Sequence, residues 1–398
     1  FGTGNNDRQI FPGKFIRRIE SDADAGRSVP SNKIYSDRRH KRGEHGGISR
    51  MGKDVRGRRQ LFHGGGFEKM GKVVTLGELM LRLSPEGHER LVQAEFFRAV
   101  YGGAEANVAV SLANFGQEAR FVSKLPENET GRAAMCSVKK YGVDTSCLLR
   151  GGKRIGIYYL EKGASQRPDQ VVYDRENSSF ALSEEDEYDW DKIFSGADWF
   201  HITGITPALG ENCFRISERA VKEAKSRGVI VSFDVNYRKS LWDTDRAKTA
   251  MEKLLPYADI CIANETQASE LFGLPADEKG DKIAETLIKK FDFRLVALTY
   301  RRTVNVNRNN IWAVLCDGKN FVCSKKYEMD MVDRVGGGDA FAAGLIYAQM
   351  QGFDLYKSAD FAEAASCLKH SVVGDFNLVT VEEVEKLACG TGKGAIYR

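Results

Sequence analysis

An aspartate directly after three glycines, Gly336-Gly337-Gly338-Asp339, is the group in this chain best suited to move a proton beside a phosphate. Behind it Phe341, Leu345 and Ala348 recur at helical spacing, so the glycines read as a loop feeding a helix N-terminus. Without Cβ atoms, Gly336, Gly337 and Gly338 let backbone N–H groups close on a ligand. Unpaired N–H groups and the helix dipole together make an anion site suited to phosphate. A carboxylate at its edge can take a proton from an attacking hydroxyl, as phosphoryl transfer requires. The dipole is expected to keep the pKa of Asp339 low and the group ionised. The competing reading makes Asp339 a helix cap and the glycines a turn.

These residues need a scaffold, and the sequence supplies a rhythm for one. Strands are expected over 72–78, 119–125, 197–202, 229–234 and 260–263, with helices over 131–141, 213–227 and 245–255. A further helix opens at the Gly102-Gly103 turn and ends at Gly116, with Val108, Leu112 and Phe115 on one face. Asn107 lies in its first turns, its amide available to a hydroxyl-bearing ligand. Residues 155–161 and 171–175 break the rhythm as a hairpin, which with 79–100 forms a small lid. The alternation predicts an α/β fold, a mostly parallel sheet with helices on both faces. Ligands on such sheets bind at the carboxyl ends of the strands. Asp234-Val235-Asn236-Tyr237-Arg238, Ala263-Asn264-Glu265 and the triple-glycine loop all fall there. That convergence favours chemistry over capping for Asp339.

Composition narrows the partners. At 398 residues the chain has room for two domains or one large α/β unit. No run of about 18 apolar residues occurs, so no transmembrane helix is expected. Eight cysteines without a C-x-x-C pair read as reduced core residues of a cytoplasmic protein. Residues 1–70 carry 16 Lys/Arg against 8 Asp/Glu, whereas the rest carries 43 against 47. With 12 glycines and the single leucine Leu61, residues 1–69 cannot bury enough apolar surface to fold. They are expected to be a disordered or artefactual leader upstream of Met70, and its basic clusters are not expected to bind nucleic acid. Gly390-Thr391-Gly392-Lys393-Gly394 lacks the Ser/Thr of a phosphate loop, and His201 and His370 read as core or surface residues rather than metal ligands.

Gly102-Gly103-Ala104-Glu105-Ala106-Asn107 and Asp333-Arg334-Val335-Gly336-Gly337-Gly338-Asp339 together resemble the paired signatures of the ribokinase-like (PfkB) carbohydrate kinases. Gly156-Ile157-Tyr158, Val172-Tyr173-Asp174-Arg175, Asp234 to Arg238 with Leu241-Trp242, and Lys369-His370 with Gly374-Asp375-Phe376-Asn377 are similar to the 2-keto-3-deoxygluconate kinases within it. The resemblance implies a three-layer α/β/α kinase domain over 70–398, with a small β lid from about 79–100 and 155–175. It implies ATP and Mg²⁺ as cofactors, and a homo-oligomer formed through the lid. The reaction implied is phosphorylation of 2-keto-3-deoxygluconate to 2-keto-3-deoxy-6-phosphogluconate. Asp339 would be the base and Gly336, Gly337 and Gly338 the anion hole. Gly103, Asn107, Tyr158, Tyr173, Arg175, Arg238 and Asp375 would line the sugar site. Asn236, Asn264, Thr299, Arg301, Gly336, Gly338, Lys369 and Asn377 would hold ATP.

Two positions depart from the pattern. The family commonly carries Asn-x-x-Glu (or Asp) to organise Mg²⁺ through water, but here Asn264 leads to uncharged Gln267, with Glu265 a partial substitute. The metal ligands are therefore left unassigned. Asp174 stands where relatives place an aromatic, and it lowers the local positive potential unless its side chain points away. An acid substrate brings a carboxylate that must be paired on desolvation, for which Arg175 and Arg238 are the candidates. A kinase of the same family for a neutral, fructose- or ribose-type sugar is the first alternative. A nucleotide- or sugar-binding protein without catalysis, suggested by Gln267, is the second.

Overall fold

Neighbouring residues of each central strand send their side chains to opposite faces, and both faces are apolar. Val73, Trp199, Leu295 and Ala297 join one hydrophobic cluster, while Val74, Phe200, Val296 and Leu298 join another. A strand buried on both sides belongs inside a sheet covered by helices twice over. The computed structural model, which describes residues 70–274, 280–305 and 307–390, has that three-layer architecture. The 1–69 leader and residues 391–394 of the false phosphate loop lie outside the described residues.

The main sheet runs Phe321–Cys323, Arg308–Cys316, Leu295–Asn305, Ile260–Asn264, Ile230–Asp234, Trp199–Thr203, Lys72–Leu76, Glu118–Val122. Pairing is parallel from Leu295–Asn305 to Glu118–Val122 and antiparallel beyond Leu295–Asn305. The expected mostly parallel sheet is therefore present, with an antiparallel edge that the strand–helix rhythm does not reveal. Helices Ala104–Asn114, Gly337–Met350 and Leu355–Lys369 cover one face, and Glu211–Ser226, Thr244–Leu254, Glu265–Phe272 and Gly280–Phe291 cover the other. Several starts are capped in the usual way, as where Asp243 accepts from the Arg246 N–H at 2.8 Å and Asp354 from Lys357 at 2.8 Å.

A second sheet stands apart. Met80–Ser84 pairs antiparallel with Arg98–Gly102 and parallel with Ile157–Glu161, which pairs antiparallel with Gln170–Asp174. This is the expected lid, and its outer strand Gln170–Asp174 is exposed along its whole length. The cysteines are all free, but only Cys147, Cys213, Cys261 and Cys316 are buried. Cys136, Cys323 and Cys389 are exposed, which corrects the expectation of eight core thiols. His201 is a core residue, its Nδ1 2.9 Å from Ser232 Oγ. Among the described residues no helix is long and apolar enough to cross a membrane.

Candidate active site

Gly336 takes φ of 86° and caps the helix Gly337–Met350. A side chain there would be strained, and it would also collide with the carbonyl of Asp375. Asp339 is the third residue of that helix, and Asn107 Nδ2 donates to its Oδ2 at 2.6 Å. Asn107 in turn accepts from the Gly103 N–H at 3.3 Å, and Gly103 is pressed so close to the Glu78 carbonyl that no Cβ fits. The two glycine turns, distant in sequence, thus meet on one hydrogen bond between amide and carboxylate.

Burial raises the pKa of Asp339 to about 6, against the lowering effects of the Asn107 hydrogen bond and of Arg238. This corrects the expectation of a low pKa: desolvation outweighs the helix dipole. Asp339 lines the cleft and is only partly exposed. Asp234, at a strand end, is raised to about 7 by burial first and by Asp339 next.

The cleft measures about 620 Å³, ample for a small ligand beside a nucleotide. Gly103, Asn107, Tyr158, Tyr173, Arg175, Arg238 and Asp375 all line it. Arg238 has no ion-pair partner among the described residues, whereas Arg175 is already occupied. Its Nε donates to Glu78 Oε2 at 2.8 Å, with a second short contact from Nη2, and Ser178 also donates to Glu78. The expectation that Arg175 waits for a substrate carboxylate is corrected: Glu78 supplies its counter-charge. Asp174 turns outward to Arg154 at 2.7 Å, so it does not weaken the site. Tyr158 donates to Asp375, whose other oxygen accepts from Arg82 at 2.8 Å.

At the other end Asn236, Asn264, Thr299 and Arg301 line the cleft with Gly336 and Gly338. Asn236 holds φ of 35°, a strained conformation for a residue with a side chain. Burial, then Arg334 and Arg238, lower the pKa of Arg301, a crowding of cations that a polyphosphate would relieve. Two expected nucleotide residues are not in the cleft. Lys369 is fully buried beneath Gly336, its Nζ donating to the Val372 carbonyl at 3.2 Å. Asn377 points to Ser111 Oγ at 2.9 Å. Lys369 thus sits behind the glycine turn, whereas Asn377 is held on the helix Ala104–Asn114, its carbonyl accepting from Asn114 Nδ2 at 2.7 Å.

Gln267 Oε1 accepts from the Asn264 N–H at 3.0 Å, and Asn264 Oδ1 accepts from the Gln267 N–H at 2.8 Å, a capping box that occupies both side chains. No group of three or more His, Cys, Asp or Glu that could hold a metal exists among the described residues. A cation borne on phosphates needs only one or two carboxylates, and Asp234 and Glu265 line the cleft close in sequence to Asn236 and Asn264.

The pattern of the pfkB family of carbohydrate kinases matches residues 70–379. The chain belongs to that family. A 2-dehydro-3-deoxygluconokinase from Thermotoga maritima is 46% identical in crystal structure, with a TM-score of 0.79 over 81% of this chain and 99% of that one. A 2-dehydro-3-deoxygalactonokinase from Haloferax volcanii is 33% identical over 323 residues, 81% of this chain and 98% of that protein. A 2-dehydro-3-deoxygluconokinase from Bacillus subtilis is 27% identical over 312 residues, 78% and 93%. The chain is thus a PfkB carbohydrate kinase, and the family implies ATP as phosphoryl donor.

Motif reading overlooks Arg82, Glu78 and Glu363, and it names Asp333 and His370 without giving them a place in the site; all five line or brace the PfkB cleft. Arg82 carried a legible signal. It occupies an inward position of the alternating strand Met80–Ser84, where a charge demands a buried partner. Glu363 sits in a helix buried nearly all round, where periodicity gives no hint.

Proposed function

We propose that this PfkB kinase phosphorylates a six-carbon 2-keto-3-deoxy sugar acid, converting 2-keto-3-deoxygluconate to 2-keto-3-deoxy-6-phosphogluconate at the expense of ATP. The observation that carries this reading is Arg238, a cation at the sugar end of the cleft without an ion-pair partner among the described residues, close enough to act on Asp339. Arg238 is exposed and already acts on Asp339 and Asp234, and a ligand that covers it with a carboxylate gains a charge-assisted pair that a neutral sugar does not offer. The names of the relatives from Thermotoga maritima, Haloferax volcanii and Bacillus subtilis support the same substrate class.

In this mechanism the acid lies under the lid against Tyr158, Tyr173 and Arg238, its terminal hydroxyl directed at Asp339. Asn107 orients the Asp339 carboxylate through the hydrogen bond at 2.6 Å. Asp339 accepts the hydroxyl proton as the new O–P bond forms, late in a loose transition state. The N–H groups of the glycine turn take up the charge that develops on the transferred phosphoryl oxygens. Asn236, Asn264, Thr299 and Arg301 hold the nucleotide. Asp234 and Glu265 would be the residues to hold Mg²⁺, which would supply neutralisation of phosphate charge. A panel of 2-keto-3-deoxygluconate, its galactonate epimer, fructose and ribose, assayed with ATP, tests the reading. Turnover highest on the two acids is expected. Preference for a neutral sugar, or no turnover above background, contradicts it.

A further inference from the structure

Arg82 is a lid residue whose side chain leaves the lid. Its strand, Met80–Ser84, pairs only within the lid sheet, yet the guanidinium is 2% exposed and ends in the main domain. Nη2 donates to Asp333 Oδ2 at 2.8 Å, Nη1 to Asp375 Oδ1 at 2.8 Å, and Nε to Ser84 Oγ at 2.9 Å. It does not line the cleft, so it meets neither sugar nor nucleotide.

What it holds are the two sides of the reaction. Asp333 accepts from the Val335 N–H at 3.3 Å, just ahead of the glycine turn, and from the Gly374 N–H at 3.1 Å, just ahead of Asp375. Asp375 takes the Tyr158 hydroxyl with one oxygen, and its carbonyl packs against Gly336 where a Cβ would lie. Lys162, also from the lid, stands 3.7 Å from Asp333 and is partly exposed. Two buried carboxylates therefore share hydrogen bonds from one guanidinium, whose planar fork reaches both, with the buried Lys369 acting on them at longer range.

We propose that Arg82 is a positioning residue for phosphoryl transfer, a clamp that registers the glycine turn against Asp375 and ties both to the root of the lid. This rests on the kinase reading above. Loss of the clamp leaves two carboxylates facing each other behind the turn, which displaces the N–H groups that meet the phosphoryl oxygens. A shift of about 1 Å in such groups lowers a rate by roughly 100-fold.

The test compares Arg82→Met and Arg82→Lys with the wild-type chain, using steady-state kinetics with 2-keto-3-deoxygluconate and ATP, thermal melting and amide hydrogen exchange. Arg82→Met is expected to lower kcat by roughly 100-fold with KM for ATP little changed. Exchange should quicken at residues 335–338, while strands Ile230–Asp234 and Ile260–Asn264 stay protected. Arg82→Lys should recover part of kcat, since an ammonium reaches one carboxylate. If Arg82→Met does not fold, the double variant Arg82→Met/Asp333→Asn removes a buried charge with its partner and is read in the same way. A folded variant with wild-type kcat and wild-type exchange overturns the proposal. So does faster exchange spread evenly over the sheet, which marks a merely structural role. Should the wild-type chain phosphorylate none of the sugars or acids, the kinase reading fails instead. The exchange at 335–338 then still supports or overturns the clamp.

Discussion

Asp339 and Asp234 both line the cleft, and burial raises both, to about 6 and about 7. A raised pKa means the proton-bound form persists to higher pH, so the base is lost as pH falls through that window. The activity kcat/KM should therefore have an acidic limb between about pH 6 and 7, belonging to the pair rather than to one group. A pH–rate profile flat down to pH 5 contradicts this. The two arginines should separate by what they do. Arg238→Ala should raise KM for the sugar acid by about 10- to 150-fold, the worth of a charge-assisted contact of about 1.5–3 kcal/mol, with neutral sugars unaffected. Arg175→Ala leaves Glu78 charged and buried, and should cost about 3–5 kcal/mol of stability in a denaturant titration. Comparable KM effects from both variants in stable proteins would show that this division is wrong. At this scale the sequence was readable where a motif fixed backbone geometry, as at Gly336 and Asn107. It was unreadable where a partner came from far away, since nothing local to Arg175 announces Glu78.

The lid hairpin is made of strands that pair with little else. Ile157–Glu161 is held on both sides, but Gln170–Asp174 is an outer strand exposed throughout, with Tyr173 and Arg175 at its cleft end. Such a strand opens easily on its own and gains contacts only when a ligand bridges Tyr158, Tyr173 and Arg238. Amide exchange across 157–174 should slow when 2-keto-3-deoxygluconate is added, and exchange indifferent to the acid argues against closure. The hairpin was legible because its β-rich stretches interrupt a strand–helix rhythm. The antiparallel edge beyond Leu295–Asn305 was not, because a β pattern marks a strand but not the direction in which it pairs. Lys369 and Asn377 were misplaced for a related reason. Proximity in sequence to Asp375 put them near the cleft, but Lys369 sits behind the glycine turn and Asn377 is held on the helix Ala104–Asn114.

Over the whole molecule, the outer surface of the lid carries apolar groups that a solvated sheet does not need. Val171 and Tyr173 turn to the cleft, so Val172 between them faces outward and is 49% exposed, and in the segment joining the first two lid strands Phe96 is 80% exposed. We propose that this surface pairs with the lid of a second copy, as the family resemblance implied. Val172→Lys should then shift the sedimentation coefficient from dimer or larger to monomer; an unchanged value places the contact elsewhere. The central claim, that one cleft brings an acceptor hydroxyl, Asp339 and a nucleotide together for transfer, has a more direct test. Asp339→Asn keeps the size and capping ability of the side chain but cannot accept the proton. In single-turnover reactions with ATP and 2-keto-3-deoxygluconate, the rate should fall by roughly 10²–10⁴-fold, about 3–5.5 kcal/mol of barrier, with ATP affinity nearly unchanged. A single-turnover rate within a few-fold of the wild-type value would make Asp339 a cap and contradict the account.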